Sequence, residues 1–285
     1  MGKLISIGCS YTDHDYFNLV YKEKRPSNHL FWDELLAKEL DLELHNYGKS
    51  GAGSDRHVFD AAQAIAKHGK DIKAIVVGWS IWDRFSYPYS SGIQNICPPE
   101  MYAQIHKGHD YSGFANAQKY SGPAVLKCCL LSTFAHMYTI AKLADSIDAK
   151  LLVVQMLNPI NTHLKNTEKR NMFDDHHGPS QHEIIYDVTE ENPTFKMLEN
   201  DNRFSGFPYM QRLGGNHIWS IKLRSQSNIM QINRYIKNMK WVRWEHDKMY
   251  IDETKTEQRL DNHPNHNGQR FIYEKILERW NEIYK

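Results

Sequence analysis

Four short apolar runs, separated from one another by stretches of helical periodicity, limit the folds open to this chain. Leu4, Ile5 and Ile7 run into Gly8, Leu42 to Asn46 runs into Gly48, and Ile72 to Val77 is β-branched and ends at Gly78. The fourth run, Lys150 to Leu157, contains Leu151-Leu152-Val153-Val154. Phe31, Leu35, Leu36 and Leu40 recur at helical spacing across His29 to Leu40, and Ala-rich turns follow from Ser54, a suitable N-cap, to Lys67. Val125 to Ile147 and Asn267 to Tyr284 read as two more amphipathic helices, with Ile221 to Lys240 a further helical candidate. Strands that alternate with helices predict a parallel, doubly wound sheet covered on both faces. Two stretches lack a clean period, about 84–123 and about 158–220, and read as insertions. Both follow strands, so they are expected to rise above the carboxyl edge of the sheet and wall a site there.

The 285 residues read as one large domain. Lys+Arg number 35 and Asp+Glu 34, so no bulk charge draws the chain to nucleic acid or to an anionic membrane. No run approaches the ~20 apolar residues of a membrane span, and the run at Leu4 to Ile7 is too short for a signal peptide. Cys9, Cys97, Cys128 and Cys129 form no CxxC pair, which fits reduced thiols in a cytoplasmic product.

The chemistry gathers on a few residues. Ser10 follows the first strand at its carboxyl end, where ligands bind in open α/β sheets. A serine hydroxyl becomes a nucleophile when a histidine takes its proton and a carboxylate orients that histidine. His263 is the candidate base and Asp261 the candidate orienting acid. The backbone N–H groups of Ser10 and Gly51 are candidates for an oxyanion hole, where glycine permits close approach of the backbone.

These residues resemble the SGNH (GDSL-like) hydrolases, a family of serine esterases and acylhydrolases. The family's first block, a strand followed by Gly-x-Ser, looks like Gly8-Cys9-Ser10. Its Asn-x-Gly-x-Ser-Gly turn is similar to Asn46-Tyr47-Gly48-Lys49-Ser50-Gly51. Its last block, an Asp and a His followed by Pro-Asn and later a Gly, resembles Asp261-Asn262-His263-Pro264-Asn265-His266-Asn267-Gly268. The Gly-Cys-Ser-Tyr-Thr opening with a later Gly-Trp-Ser is particularly similar to versions seen in bacteriophage proteins. The resemblance implies a flavodoxin-like three-layer α/β/α sandwich and an acyl-enzyme on Ser10. The expected substrate is a small-molecule or glycan ester, with an O-acetylated saccharide as one form. Tyr11, Trp79 and Arg84 are expected to contact substrate, and no metal or organic cofactor is implied. The product would act in the cytoplasm, that of the host if phage-encoded.

The chain also departs from the family pattern. Gly78-Trp79-Ser80-Ile81 stands where the family has Gly-x-Asn-Asp, so Ser80 takes the place of the oxyanion-hole Asn. Cys9 replaces the usual Asp of the first block, and Asp261 lies two residues before the His rather than three. These departures leave open a binding or structural phage protein that keeps the fold without the chemistry. An O-acyltransferase built on the same residues is the other alternative.

Other readings of single motifs are blander. Gly48-Lys49-Ser50 is no phosphate loop, since position 44 is leucine where that motif needs glycine. Asp174-Asp175-His176-His177 and His182 read as a solvated loop rather than a metal centre. Cys9 reads as a small buried residue, and Asp261 has a helix-cap reading beside the catalytic one. Trp219, Trp241 and Trp244 fit either a core or a sugar-stacking surface.

Overall fold

A computed structural model describes residues 1–16, 25, 29–80, 85–89, 92–96, 112–156, 188, 192–205, 241–245, 248–252 and 266–285. The chain is an α/β protein built on a five-stranded sheet: β1 (Lys3–Gly8), β2 (Glu43–Gly48), β3 (Ile72–Trp79), β6 (Lys150–Gln155) and β7 (Phe204–Ser205). Its order is β2-β1-β3-β6-β7, with every neighbouring pair parallel. That is the flavodoxin-like winding, in which the chain grows outward in one direction from β1 to β2 and in the other from β3. The switch point lies between β1 and β3.

Two helices pack on each face of the sheet. On one, α1 (Trp32–Glu39) and α5 (His266–Tyr284) cover Leu4, Ala74, Val76, Leu152 and Val154 with Trp32, Leu36, Ile272, Ile276 and Trp280. On the other, α2 (Ser54–His68) and α3 (Ser112–Ser146) cover Ile5, Ile7, Ile75, Val77, Leu151 and Val153 with Ala61, Ala64, Phe134, Met137 and Ile140. The short α4 (Pro193–Glu199) adds Phe195 and Leu198 to this second core. Full burial of each large side chain contributes about 1.5–3 kcal/mol. Strands covered on both faces have no solvent-facing positions to fill, which is why they read as continuous apolar runs.

Several sequence-based boundaries move. The long helix begins at Ser112, inside the stretch read as irregular up to 123, and carries Pro123 within its span. The same stretch holds a hairpin, β4 (Phe85–Tyr89) with β5 (Gly92–Ile96). The stretch 158–220 supplies α4 and the fifth strand of the sheet. A second hairpin pairs β8 (Trp241–Glu245) with β9 (Lys248–Asp252). The helical candidate Ile221 to Lys240 lies outside the described residues. Among the described residues, no helix is long and apolar enough to cross a membrane.

Three glycines occupy one row across the carboxyl end of the sheet. Gly8 pairs with Gly48 on one side and with Gly78 on the other. The turn after β1 folds back over this row. A Cβ at Gly48 would stand 2.4 Å from the Thr12 carbonyl carbon and 2.5 Å from its oxygen, and one at Gly8 would stand 2.3 Å from Thr12 Oγ1. Overpacking of this kind costs about 1–3 kcal/mol, more where backbone must move. Gly48→Ala is therefore expected to lower stability by at least about 2 kcal/mol in urea unfolding. A change below about 0.5 kcal/mol would show that the turn has room to shift.

Candidate functional site

The turn that carries Ser10 is defined by its own backbone. Thr12 N and Asp13 N both donate to the Cys9 carbonyl, at 2.9 and 3.1 Å, so residues 9–13 form one helical turn immediately after β1. Ser10 is half-buried at the top of it, while Cys9 is fully buried, as a small residue in that position should be.

Asp13 joins this turn to the next one. Its buried carboxylate oxygen Oδ2 accepts from Ser50 N at 2.8 Å and Ser50 Oγ at 2.6 Å, and Oδ1 accepts from Asp15 N at 3.0 Å. Lys49 N donates to the Gly8 carbonyl at 2.9 Å, extending the ladder between the two strands by one bond. Gly51 follows with φ of +77°, a conformation that glycine adopts without steric cost. The loops carrying Ser10 and Gly51 are thereby fixed to each other by charge-assisted hydrogen bonds, the stronger kind.

Beneath the Ser10 turn, on the face covered by α1, lies a buried polar network centred on Asp33. Ser6 Oγ donates to Asp33 Oδ2 at 2.5 Å and Asn46 Nδ2 donates to the same oxygen at 2.7 Å. His14 Nε2 and Glu34 N approach Oδ1 at 2.9 and 3.0 Å. Asn46 also donates to the Thr12 carbonyl at 2.6 Å and accepts from Gly48 N at 3.1 Å, so one amide holds both loops. Asp33 is wholly buried, a placement whose desolvation cost is offset by donors on both oxygens.

His14 stacks on Phe31, with ring centroids 4.6 Å apart. Its burial disfavours the charged form, but the hydrogen bond and charge of Asp33, with Glu34 nearby, outweigh this and raise its pKa above 6.5. Nothing in the Asp13-His14-Asp15 stretch marked His14 as the partner of a carboxylate 19 residues away.

The other sequence candidates fall in several places. Ser80 is buried just past the end of β3, beside the switch point. Tyr11 and Trp79 are core side chains. Tyr11 packs with Leu4, Cys9 and Trp32, and Trp79 lies edge-on to His57 in the opposite core. Both side chains, expected to contact substrate, are buried in the structure. Asp261, His263 and Arg84 lie outside the described residues, as do His176, His177 and His182. The described part of α5 does reach the site. Gln269 Nε2 donates to the Tyr11 carbonyl at 3.2 Å, and Gln269 Oε1 accepts from Trp32 N at 3.1 Å.

Ser54 is not the N-cap of α2. Gly53 takes that position, and the Ser54 hydroxyl turns instead to His136 on α3.

The assembled arrangement is an α/β sheet with a half-buried serine at its switch point, next to a glycine turn with a positive φ. No protein-family model and no curated protein matches the chain.

The sign of the His14 shift sets a pH dependence. A folded pKa above the unfolded value of 6.5 means that the stabilisation is fully present below pH 6.5 and is lost as pH rises through the folded value. Urea unfolding followed from about pH 5 to about pH 9 should show a decline on that limb that His14→Gln removes. An unchanged profile in the variant would exclude His14 as its source.

Proposed function

We propose that this chain is a serine esterase or acylhydrolase of the SGNH type. The observation that carries the reading is the fixing of the Ser10 turn to the Gly51 turn by Asp13, at the carboxyl end of the sheet. It brings a nucleophile candidate and a backbone donor candidate into one rigid unit at the switch point, where α/β sheets bind ligands. Further support comes from Gln269, which follows His263 by six positions in the chain and is bonded to the Tyr11 carbonyl.

In this reading Ser10 Oγ attacks the ester carbonyl while His263 takes its proton and Asp261 orients the imidazole. The backbone N–H groups of Ser10 and Gly51 stabilise the oxyanion, and the alcohol leaves with the proton carried by His263. Water activated by the same histidine then attacks the acyl-enzyme, releasing the acid and restoring Ser10. The substrate would be a small ester, with an O-acetylated saccharide as the leading class. An O-acyltransferase would run the same first half and deliver the acyl group to a sugar hydroxyl.

Ser80 favours a rival reading, a binding or structural protein that has kept the fold. Its hydroxyl is shorter than the family's amide, and loss of one oxyanion donor costs about 10²–10³ in rate.

The test is hydrolysis of p-nitrophenyl acetate by the protein beside Ser10→Ala, with fluorophosphonate labelling read by mass spectrometry. Turnover should fall to background in the variant, at least about 10³-fold, and the label should appear on the Ser10 peptide. No labelling, with equal rates for the two proteins, would leave the binding reading standing.

A further inference from the structure

We propose that His136, on α3, is a positioning residue that holds the Gly51 turn through Ser54. The turn contains Gly51 and Gly53, the residue type with the greatest backbone freedom. A donor N–H in such a turn stays aimed only if both of its ends are held. Asp13 holds the leading end through Ser50. The trailing end is Ser54, the first residue of α2, whose Oγ lies 2.9 Å from His136 Nδ1. Thr133, almost one helical turn before His136 on α3, donates its hydroxyl to Ser54 Oγ at 3.4 Å.

The direction of the bond between Ser54 and His136 follows the imidazole tautomer. In the tautomer with the imidazole proton on Nε2, Ser54 Oγ donates to His136 Nδ1 while it accepts from Thr133. This requires a neutral ring. Burial of His136 holds its pKa below 6.5, against the raising effect of the Asp55 charge. The anchor itself is firmly seated, since Phe134, Met137 and Ile140 on the same helix are fully buried in the core. Ser54 and Thr133 are buried as well, so the pair braces the loop from inside and is not a second nucleophile open to substrate.

The kinetic part of this inference rests on the esterase reading, and the structural part does not. An asparagine at this position offers Oδ1 near the place of Nδ1, whereas leucine offers no acceptor. Native-state hydrogen exchange of residues 51–54 should accelerate roughly tenfold in His136→Leu, the effect of one lost hydrogen bond, and equally in Ser54→Ala, while His136→Asn stays near the wild type. Ester turnover should show kcat reduced by roughly tenfold in His136→Leu with KM little changed, and restored in His136→Asn. Unchanged exchange in His136→Leu and Ser54→Ala would overturn the brace. Equal loss of kcat in the Leu and Asn variants, or an effect on KM alone, would overturn its positioning role. A wild type without Ser10-dependent turnover would sink the esterase reading, and with it the kinetic role, while exchange would still decide the brace.

Discussion

The structure depends on an absence of side chains at one place. Gly48, Gly8 and Gly78 form a continuous row across three strands, and the turn bearing Ser10 lies down on that row with the Thr12 backbone against Gly48. Close contact between the turn and the strand ends brings Asn46 within 2.6 Å of the Thr12 carbonyl and Asp13 within 2.8 Å of Ser50 N. A methyl group at Gly48 would meet the Thr12 and Asp13 backbone directly, and one at Gly8 the Thr12 side chain. The glycines act here through steric room and not through backbone freedom, since Gly51 and Gly69 are the described glycines with positive φ.

Above the row, specificity of position comes from charge. Asp33 and Asp13 are both buried carboxylates, and among the described residues each is met by N–H and O–H donors rather than by Lys or Arg. Such an arrangement adds little net stability, because desolvation consumes most of the gain. It does impose geometry, since a buried carboxylate left without its donors is strongly penalised. The two loops at the switch point are therefore held in register with each other.

The sheet was legible because strands covered on both faces lose their alternation and stand out as apolar runs. Ser10 and Gly51 stand out in the sequence because short polar motifs punctuate those runs, and the structure joins the turns that carry them. Other features needed the third dimension. Ser54 has the composition of an N-cap, but a hydroxyl partner on α3 outcompetes its local role. The start of α3 was hidden by Gly113, Gly122 and Pro123, residues that weaken a helical pattern without preventing the helix. The two-residue β7 is too short to carry a period at all. Asp33 reads as an ordinary polar position near the start of a helix, and its burial follows from Ser6 and Asn46 standing opposite each other on adjacent strands. Tyr11 and Trp79 were placed on the ligand side by their neighbours in sequence. Each extends a strand-end segment whose side chain points into a core.

The bond between Gln269 and the Tyr11 carbonyl has a temporal consequence, since it joins residues 258 positions apart. Closing a loop of that length costs about 5 kcal/mol of chain entropy on a logarithmic estimate, and contacts so distant in sequence slow folding. During synthesis β1 and its serine turn emerge well before the helix that completes their surroundings. The turn that carries Ser10 therefore waits, after it is made, for a helix encoded far downstream, and its surroundings are completed only when that helix docks.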